Sequence, residues 1–302
     1  MSDRIPAIVN LKSGTADEAR AALEANDAFE VHEVAPDKIA DTIRALVKGG
    51  ARRILVSGGD GTIATAATVL METPAEMAIL PGGTLNHFAR DLGVSLDPAK
   101  ALQLAIEGAC RGVDVGTVNG KVFLNTSSVG AYVRFVRFRE VLEKRFGYRI
   151  ASALAAFRIL LQMRMIAVEV EVNGKPRIYR TPLVFIGVGE RELRLPTLGS
   201  RVPDGKRGLH LMVVQGRTRA RVLALALAAV ARGVKSVART PEFDSFLVEK
   251  FRITLRRPGY VALDGELVSM SSTLEYQLRR DALSVVCPAE AAGERAAEAA
   301  VA

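Results

Sequence analysis

At 302 residues, with 49% hydrophobic and 25% charged residues, the chain has the composition of a folded globular protein long enough for two modest domains, which sets aside fibrous, collagen-like and disordered classes. Its formal net charge of +8 favours an anionic partner: nucleic acid, an acidic lipid surface or a polyphosphate. Only Cys110 and Cys287 are present, without CxxC spacing, so neither a disulfide framework nor a structural zinc site is expected and a cytoplasmic setting is.

The opening, MSDRIPAIVN, lacks a long apolar run after its charges and reads as a first strand, not as a signal peptide. Short apolar runs at residues 5–10, 29–34, 53–57 and 76–80 then alternate with helical patterns at 16–26, 37–48, from Thr62 onward, and at 99–107. This alternation predicts an α/β N-terminal domain built on a parallel sheet. Ligands of such sheets sit beyond the carboxyl ends of the strands, so the loops after Asn10, Ser57 and Leu80 are where chemistry is expected.

The second of these loops reads SGGDGT, between the strand RRILV and the helical run TIATAATVLME. Gly58, Gly59 and Gly61 permit positive φ and close approach of backbone amides to phosphate oxygens, and the following helix adds its positive end. Thr62 caps that helix or donates to phosphate. Asp60 amid those amides would repel a bare triphosphate, which implies a magnesium ion beside it. An isolated GGDG is also compatible with a plain tight turn. The third loop, LPGGTLNHFARDLG, brings a second glycine pair with Gly83, Thr84, Asn86, His87 and Arg90 at the start of an amphipathic helix. Two glycine loops on adjacent strand ends enclose one nucleotide-sized site.

Beyond Cys110 the pattern becomes β-rich, at residues 113–118 and 121–127, with a hairpin predicted at Asn173 and Gly174 between strands at 166–172 and 175–186. Apolar spacing predicts helices over 132–163 and 218–237, and the alanine-rich end reads as a disordered tail. The expected domains are therefore an ATP-binding α/β domain at 1–112, a mainly antiparallel, β-sandwich-like lipid-substrate domain with helical insertions at 113–288 whose last strand returns to the first domain, and a tail at 289–302.

In order along the chain, NLKSG (residues 10–14), GGDGT (58–62), PGGTLNHFARDLG (81–93), FLNTSSVG (123–130) and DGE (264–266) resemble motifs of the diacylglycerol kinase catalytic-domain family, which includes sphingosine kinases and bacterial lipid kinases. The resemblance extends along most of the chain. It implies an α/β nucleotide domain, a β-sandwich-like lipid domain and a cleft between them where ATP meets a lipid hydroxyl. Carried over by position, Asn10, Ser13, Gly14, Gly58, Gly59, Asp60, Gly61, Thr62, Gly83, Thr84 and Asn86 would bind ATP, with Asp60 at Mg2+. The sequence departs from the family pattern at Leu11, where Pro is frequent, at Ala64 and Thr65, and at His87, where many members carry Asp; a clean DGxL motif is absent, PDGKRGLHL having shifted spacing.

Phosphoryl transfer depends on alignment and charge neutralisation, completed by one carboxylate that accepts a proton. The DGE segment supplies that option: in an extended strand Asp264 and Glu266 would point to one face. Glu266 is preferred as base, with Asp264 orienting it, and the reverse assignment stays open.

From Arg134 to Arg149 basic residues accompany Phe135, Phe138, Leu142 and Phe146 at helical spacing. Such a helix suits peripheral contact with an anionic membrane, or else covers a core with its charged side in water. The apolar stretches at 150–161 and 222–231 are short of the roughly 20 residues a spanning helix needs. With no Trp and 5% aromatics, a single-strand nucleic-acid platform is not expected, and a homodimer is compatible with the sequence. The expected function is an ATP- and Mg2+-dependent lipid kinase acting on diacylglycerol or a related long-chain alcohol; the alternatives are an NAD kinase-like enzyme and an inactive nucleotide- or lipid-binding regulator.

Overall fold

The computed structural model describes residues 4–162, 164–193, 198–202, 205–214 and 243–289. The helix expected at 218–237, Pro203 and Asp204 of the PDGKRGLHL segment, and the tail from residue 290 lie outside the described residues. The chain divides into two compact units, Met1–Val115 with Arg279–Ala302, and Gly116–Leu278.

The first unit alternates β1 (Ile5–Asn10), α1 (Ala16–Glu24), β2 (Phe29–Val34), α2 (Ile39–Lys48), β3 (Arg53–Gly58), α3 (Asp60–Leu70) and β4 (Glu76–Pro81), followed by the short α4 (His87–Asp91) and α5 (Pro98–Glu107). Its strands run parallel in the order β2-β1-β3-β4, and the last strand described, β18 (Thr273–Cys287), adds on through Val285 opposite Met77. Nearly continuous apolar runs such as RILVSG and EMAILP suit strands buried on both faces. On one face Ala7, Val9, Leu55, Ala78 and Leu80 pack with Leu23, Phe29, Leu102 and Val286. Because β1 leads outward to β2 on one side while β3 leads to β4 on the other, the chain direction reverses between β1 and β3, which opens a crevice at their carboxyl ends. Arg53 braces the opposite end: its guanidinium meets Glu76 at 2.7 Å and donates to the carbonyls of Ala105 at 2.8 Å, Ile106 at 3.0 Å and Gly108 at 3.1 Å, satisfying the orphan acceptors at the end of α5.

The second unit is mainly antiparallel. After β5 (Ala109–Val118) come β6 (Lys121–Phe123), β7 (Thr126–Gly130), α6 (Ala131–Leu161), β8 (Ile166–Val172), β9 (Lys175–Thr181), β10 (Leu183–Val188), β11 (Arg191–Leu193), β12 (Leu198–Arg201), β13 (Leu209–Val214), β14 (Phe243–Val248), β15 (Lys250–Leu255), β16 (Gly259–Leu263) and β17 (Glu266–Met270). One sheet runs β14-β13-β10-β7-β16-β17; the first half of β18 pairs with β15, which continues to β8 and β9. Val129, Ile186, Leu211 and Val261 from the first sheet pack on Val170, Ile253, Phe251 and Tyr276 from the second, forming a sandwich core.

The hairpin at Asn173 and Gly174 is present, both residues having positive φ (52° and 72°) as a two-residue turn between twisted strands requires. The single strand expected at 175–186 is in fact two. Pro182 has no N–H for a ladder, and at it the chain leaves β9, paired with β8, and enters β10, paired with β7 and β13. Helix α6 is broken at Gly147 (φ 70°, ψ 165°), which divides it into two arms.

Candidate functional site

Three loops of the first unit converge at the carboxyl ends of β1, β3 and β4. Asn10, the last residue of β1, donates from Nδ2 to Thr62 Oγ1 at 2.7 Å and accepts the Lys12 N–H on Oδ1 at 3.0 Å. One side chain thus ties the first loop to the first turn of α3. Ser13 Oγ and Thr15 Oγ1 donate to the Gly82 carbonyl at 2.9 and 3.1 Å, tying the same loop to the third. The Gly82 N–H donates to the Gly58 carbonyl at 2.9 Å, which continues the β3–β4 ladder into the loops.

The glycines matter here through close approach. The positive φ that glycine permits is not used: none of Gly58, Gly59, Gly61, Gly82 or Gly83 is among the described residues with φ in the left-handed region. A Cβ on Gly58 would lie 2.6 Å from Thr62 Cβ, and one on Gly82 would lie 2.7 Å from Thr15 Oγ1. At Gly83 it would meet the Gly59 Cα, so the two glycine backbones pack against each other with no side chain between them. Gly14 has open space where its Cβ would be, and Thr84 is exposed at the rim of the third loop.

Helix α3 begins at Asp60 with Gly59 as N-cap and no side chain capping it. The amides of its first turn have no intrahelical acceptor, and with the helix dipole they make an anion site. Asp60 stands half-buried in that turn. Among the described residues no group of three or more His, Cys, Asp or Glu side chains is arranged to hold a metal alone. Magnesium commonly takes one or two protein carboxylates plus phosphate oxygens and water, a donor set that Asp60 beside a phosphate cradle fits.

Asn86 is buried and left-handed (φ 50°, ψ 45°), a conformation Asn tolerates. Its Oδ1 accepts the Gly83 N–H at 2.8 Å and its Nδ2 donates to the Gly83 carbonyl at 2.7 Å. Both polar ends are spent on shaping the third loop. Thr15 and Gly82 belong to this framework and were not in the sequence-derived set, although each adjoins a residue that was.

In the second unit, Asp264 and Gly265 are the two central residues of a hairpin (φ 46° and 90°) joining β16 to β17, with Leu263 opposite Glu266. The expected extended segment with both carboxylates on one face is therefore replaced by a turn. Asp264 accepts three backbone N–H groups, from Leu124 at 2.7 Å and from Asn125 and Thr126 at 2.8 Å. Burial pushes its carboxyl up, against the pull of those three donors and of Arg191. Glu266 is exposed. In the segment that Asp264 grips and the strand it enters, Asn125 Oδ1 and Ser128 Oγ are buried with no hydrogen-bond partner among the described residues, so a ligand hydroxyl or an ordered water there would gain a bond.

A doubly wound sheet with glycine loops at its switch point is the arrangement in which open α/β domains hold their ligands. Residues 4–118 match the model of the diacylglycerol kinase catalytic domain family. A protein from Pseudomonas savastanoi named "Probable lipid kinase YegS-like" is 40% identical over 145 residues, 46% of this chain and 46% of its own length. A Pseudomonas fluorescens protein of the same name is 27% identical over 261 residues, 82% of this chain and 79% of its own. The chain spans about half the length of the Pseudomonas savastanoi relative and of two further Pseudomonas syringae proteins of the same name, 38% and 41% identical. A diacylglycerol kinase crystal structure from Bacillus anthracis shares the fold with a TM-score of 0.67 at 20% identity, covering 96% of this chain and 98% of that one.

Proposed function

We propose that this chain is an ATP-dependent lipid kinase that transfers the γ-phosphoryl group of ATP to the hydroxyl of diacylglycerol or a related long-chain alcohol at the cytoplasmic face of a membrane. The observation that carries this reading is the contact of the Gly59 and Gly83 backbones at the start of α3, whose first-turn amides have no side-chain cap. The match of residues 4–118 to that family model supports the reaction class, and the names of the relatives support a lipid acceptor.

In this proposal the nucleotide occupies the first unit and the lipid the second. The amides of Asp60, Gly61 and Thr62, with Ser13, Gly14 and Thr84, face the triphosphate, while Asn10 and Asn86 hold the loops in shape. Asp60 holds Mg2+, which when bound offsets charge on the transferred group. Glu266 takes the proton of the lipid hydroxyl as its oxygen bonds to the γ-phosphorus and ADP leaves. Asp264 positions residues 124–126 at the entry to β7, where Asn125 and Ser128 offer acceptors to the lipid's polar end.

Incubating the protein with labelled ATP, Mg2+ and either a lipid panel or NAD tests the proposal. Label is expected in a lipid, and Asp60→Asn is expected to lower turnover and raise the Mg2+ concentration required. Label in NAD, or nucleotide binding without transfer to any lipid, would overturn it.

A further inference from the structure

The second arm of α6 wears its apolar residues on the outside. Ala151 and Ala155 are fully buried, whereas Ile150 is 56%, Leu154 43% and Phe157 63% exposed. These three follow one another at four- and three-residue steps and continue from Phe146, itself exposed, so they form one stripe. A helix that merely covers a core does the reverse and turns its large apolar side chains inward. The stripe expected from sequence, through Phe135, Phe138 and Leu142, lies on the first arm and is half-buried instead, with Val133 and Val136 beside it buried.

Charge along this stretch of the chain is of one sign. From Glu143 to Glu169 the sequence has no acidic residue between, while Lys144, Arg145, Arg149, Arg158 and Arg164 fall within it. Arg145 lies over the Phe146 ring at 5.4 Å and Arg158 over the Phe138 ring at 4.6 Å, so these cations travel with aromatic rings. A second copy docking by the same face would bring the like charges of this stretch together. A nucleic acid would leave the aliphatic stripe in water.

We propose that the stripe Phe146, Ile150, Leu154 and Phe157 inserts into the interface of an anionic bilayer, with the flanking Lys and Arg residues on its acidic headgroups. Among the described residues no helix is long and apolar enough to cross a membrane, so the contact is a helix lying in the surface. Gly147 divides the helix, and this arm meets the first one where Arg158 lies over the Phe138 ring and the Gln162 carbonyl accepts from Arg134.

The chain has no Trp, so Phe157→Trp in the full chain places a single reporter on the stripe. Its emission is expected to shift to the blue, and to be quenched by brominated acyl chains, with vesicles of phosphatidylcholine plus phosphatidylglycerol, and not with phosphatidylcholine alone. Added salt should weaken the effect. Ile150→Ser with Leu154→Ser in the same background should cut partitioning at least about tenfold, given the apolar groups removed. No shift with the anionic vesicles, or an equal one with neutral vesicles, would overturn the proposal. So would a shift without lipid that grows with protein concentration and sediments as a dimer. None of these readouts requires phosphoryl transfer, so they stand or fall apart from the kinase reading.

Discussion

Gly83 and Gly59 touch asymmetrically: a Cβ added to Gly83 would sit 2.7 Å from the Gly59 Cα, whereas one added to Gly59 would sit 3.4 Å from the Gly83 Cα. Gly83→Ala must push two backbones apart, and overpacking of that kind costs about 1–3 kcal/mol. Gly59→Ala needs only a small adjustment. Calorimetric titration with a non-hydrolysable ATP analogue and Mg2+ is expected to show affinity reduced by about tenfold or more in Gly83→Ala, since tenfold corresponds to about 1.4 kcal/mol, with a smaller loss in Gly59→Ala. Equal losses would mean that the contact does not shape the phosphate site.

Glu266 and Asp264 should separate cleanly under mutation. Glu266→Gln changes an exposed side chain, so the unfolding midpoint should stay put while turnover falls by about 10²–10⁴, the usual contribution of a general base. Asp264→Asn takes an anionic acceptor away from three backbone donors and should lower stability by about 1–3 kcal/mol in urea titrations. Wild-type turnover in Glu266→Gln would remove it as the base.

His210 makes stability depend on pH in a defined direction. Its Nδ1 accepts the Arg191 N–H at 2.9 Å, so the ring proton of the neutral form sits on Nε2 and faces Ser245 Oγ at 2.7 Å. Burial holds its pKa below the ordinary value of 6.5. The unfolded chain therefore takes up a proton first as pH falls. The contribution of His210 is fully present above about pH 6.5 and is lost as pH drops towards the folded-state pKa. Tm is expected to fall over that range in the wild type and less steeply in His210→Gln. An unchanged slope would discount the residue.

Much of the first unit was legible because its signals are local. Apolar runs of strand length, helical periodicity and glycines at strand ends are all read within a few residues, and β1 and β2 have the predicted bounds. Where the chain meets itself across long separations, local pattern was silent. Asp264 in a DG turn looks like any turn residue until Leu124 to Thr126 arrive to donate to it. The polar atoms of Asn10 and Asn86 suggest ligand contacts when read along the chain, and only the folded loops reveal that Thr62, Lys12 and Gly83 already engage them. On α6, periodicity finds an apolar stripe but not which arm buries it, because that depends on the turn made at Gly147.

Strand β18 begins opposite β15 and finishes beside β4, where Val285 lies opposite Met77 and the Glu72 N–H reaches the Ala282 carbonyl at 2.8 Å. During synthesis the phosphate loops are thus made early on a sheet that lacks its outermost parallel strand until residue 285 leaves the ribosome. Closing so distant a pair is slow relative to local structure, and the uncovered β4 edge is exposed meanwhile. Nucleotide binding by nascent chains should accordingly appear late, after the second unit has been translated.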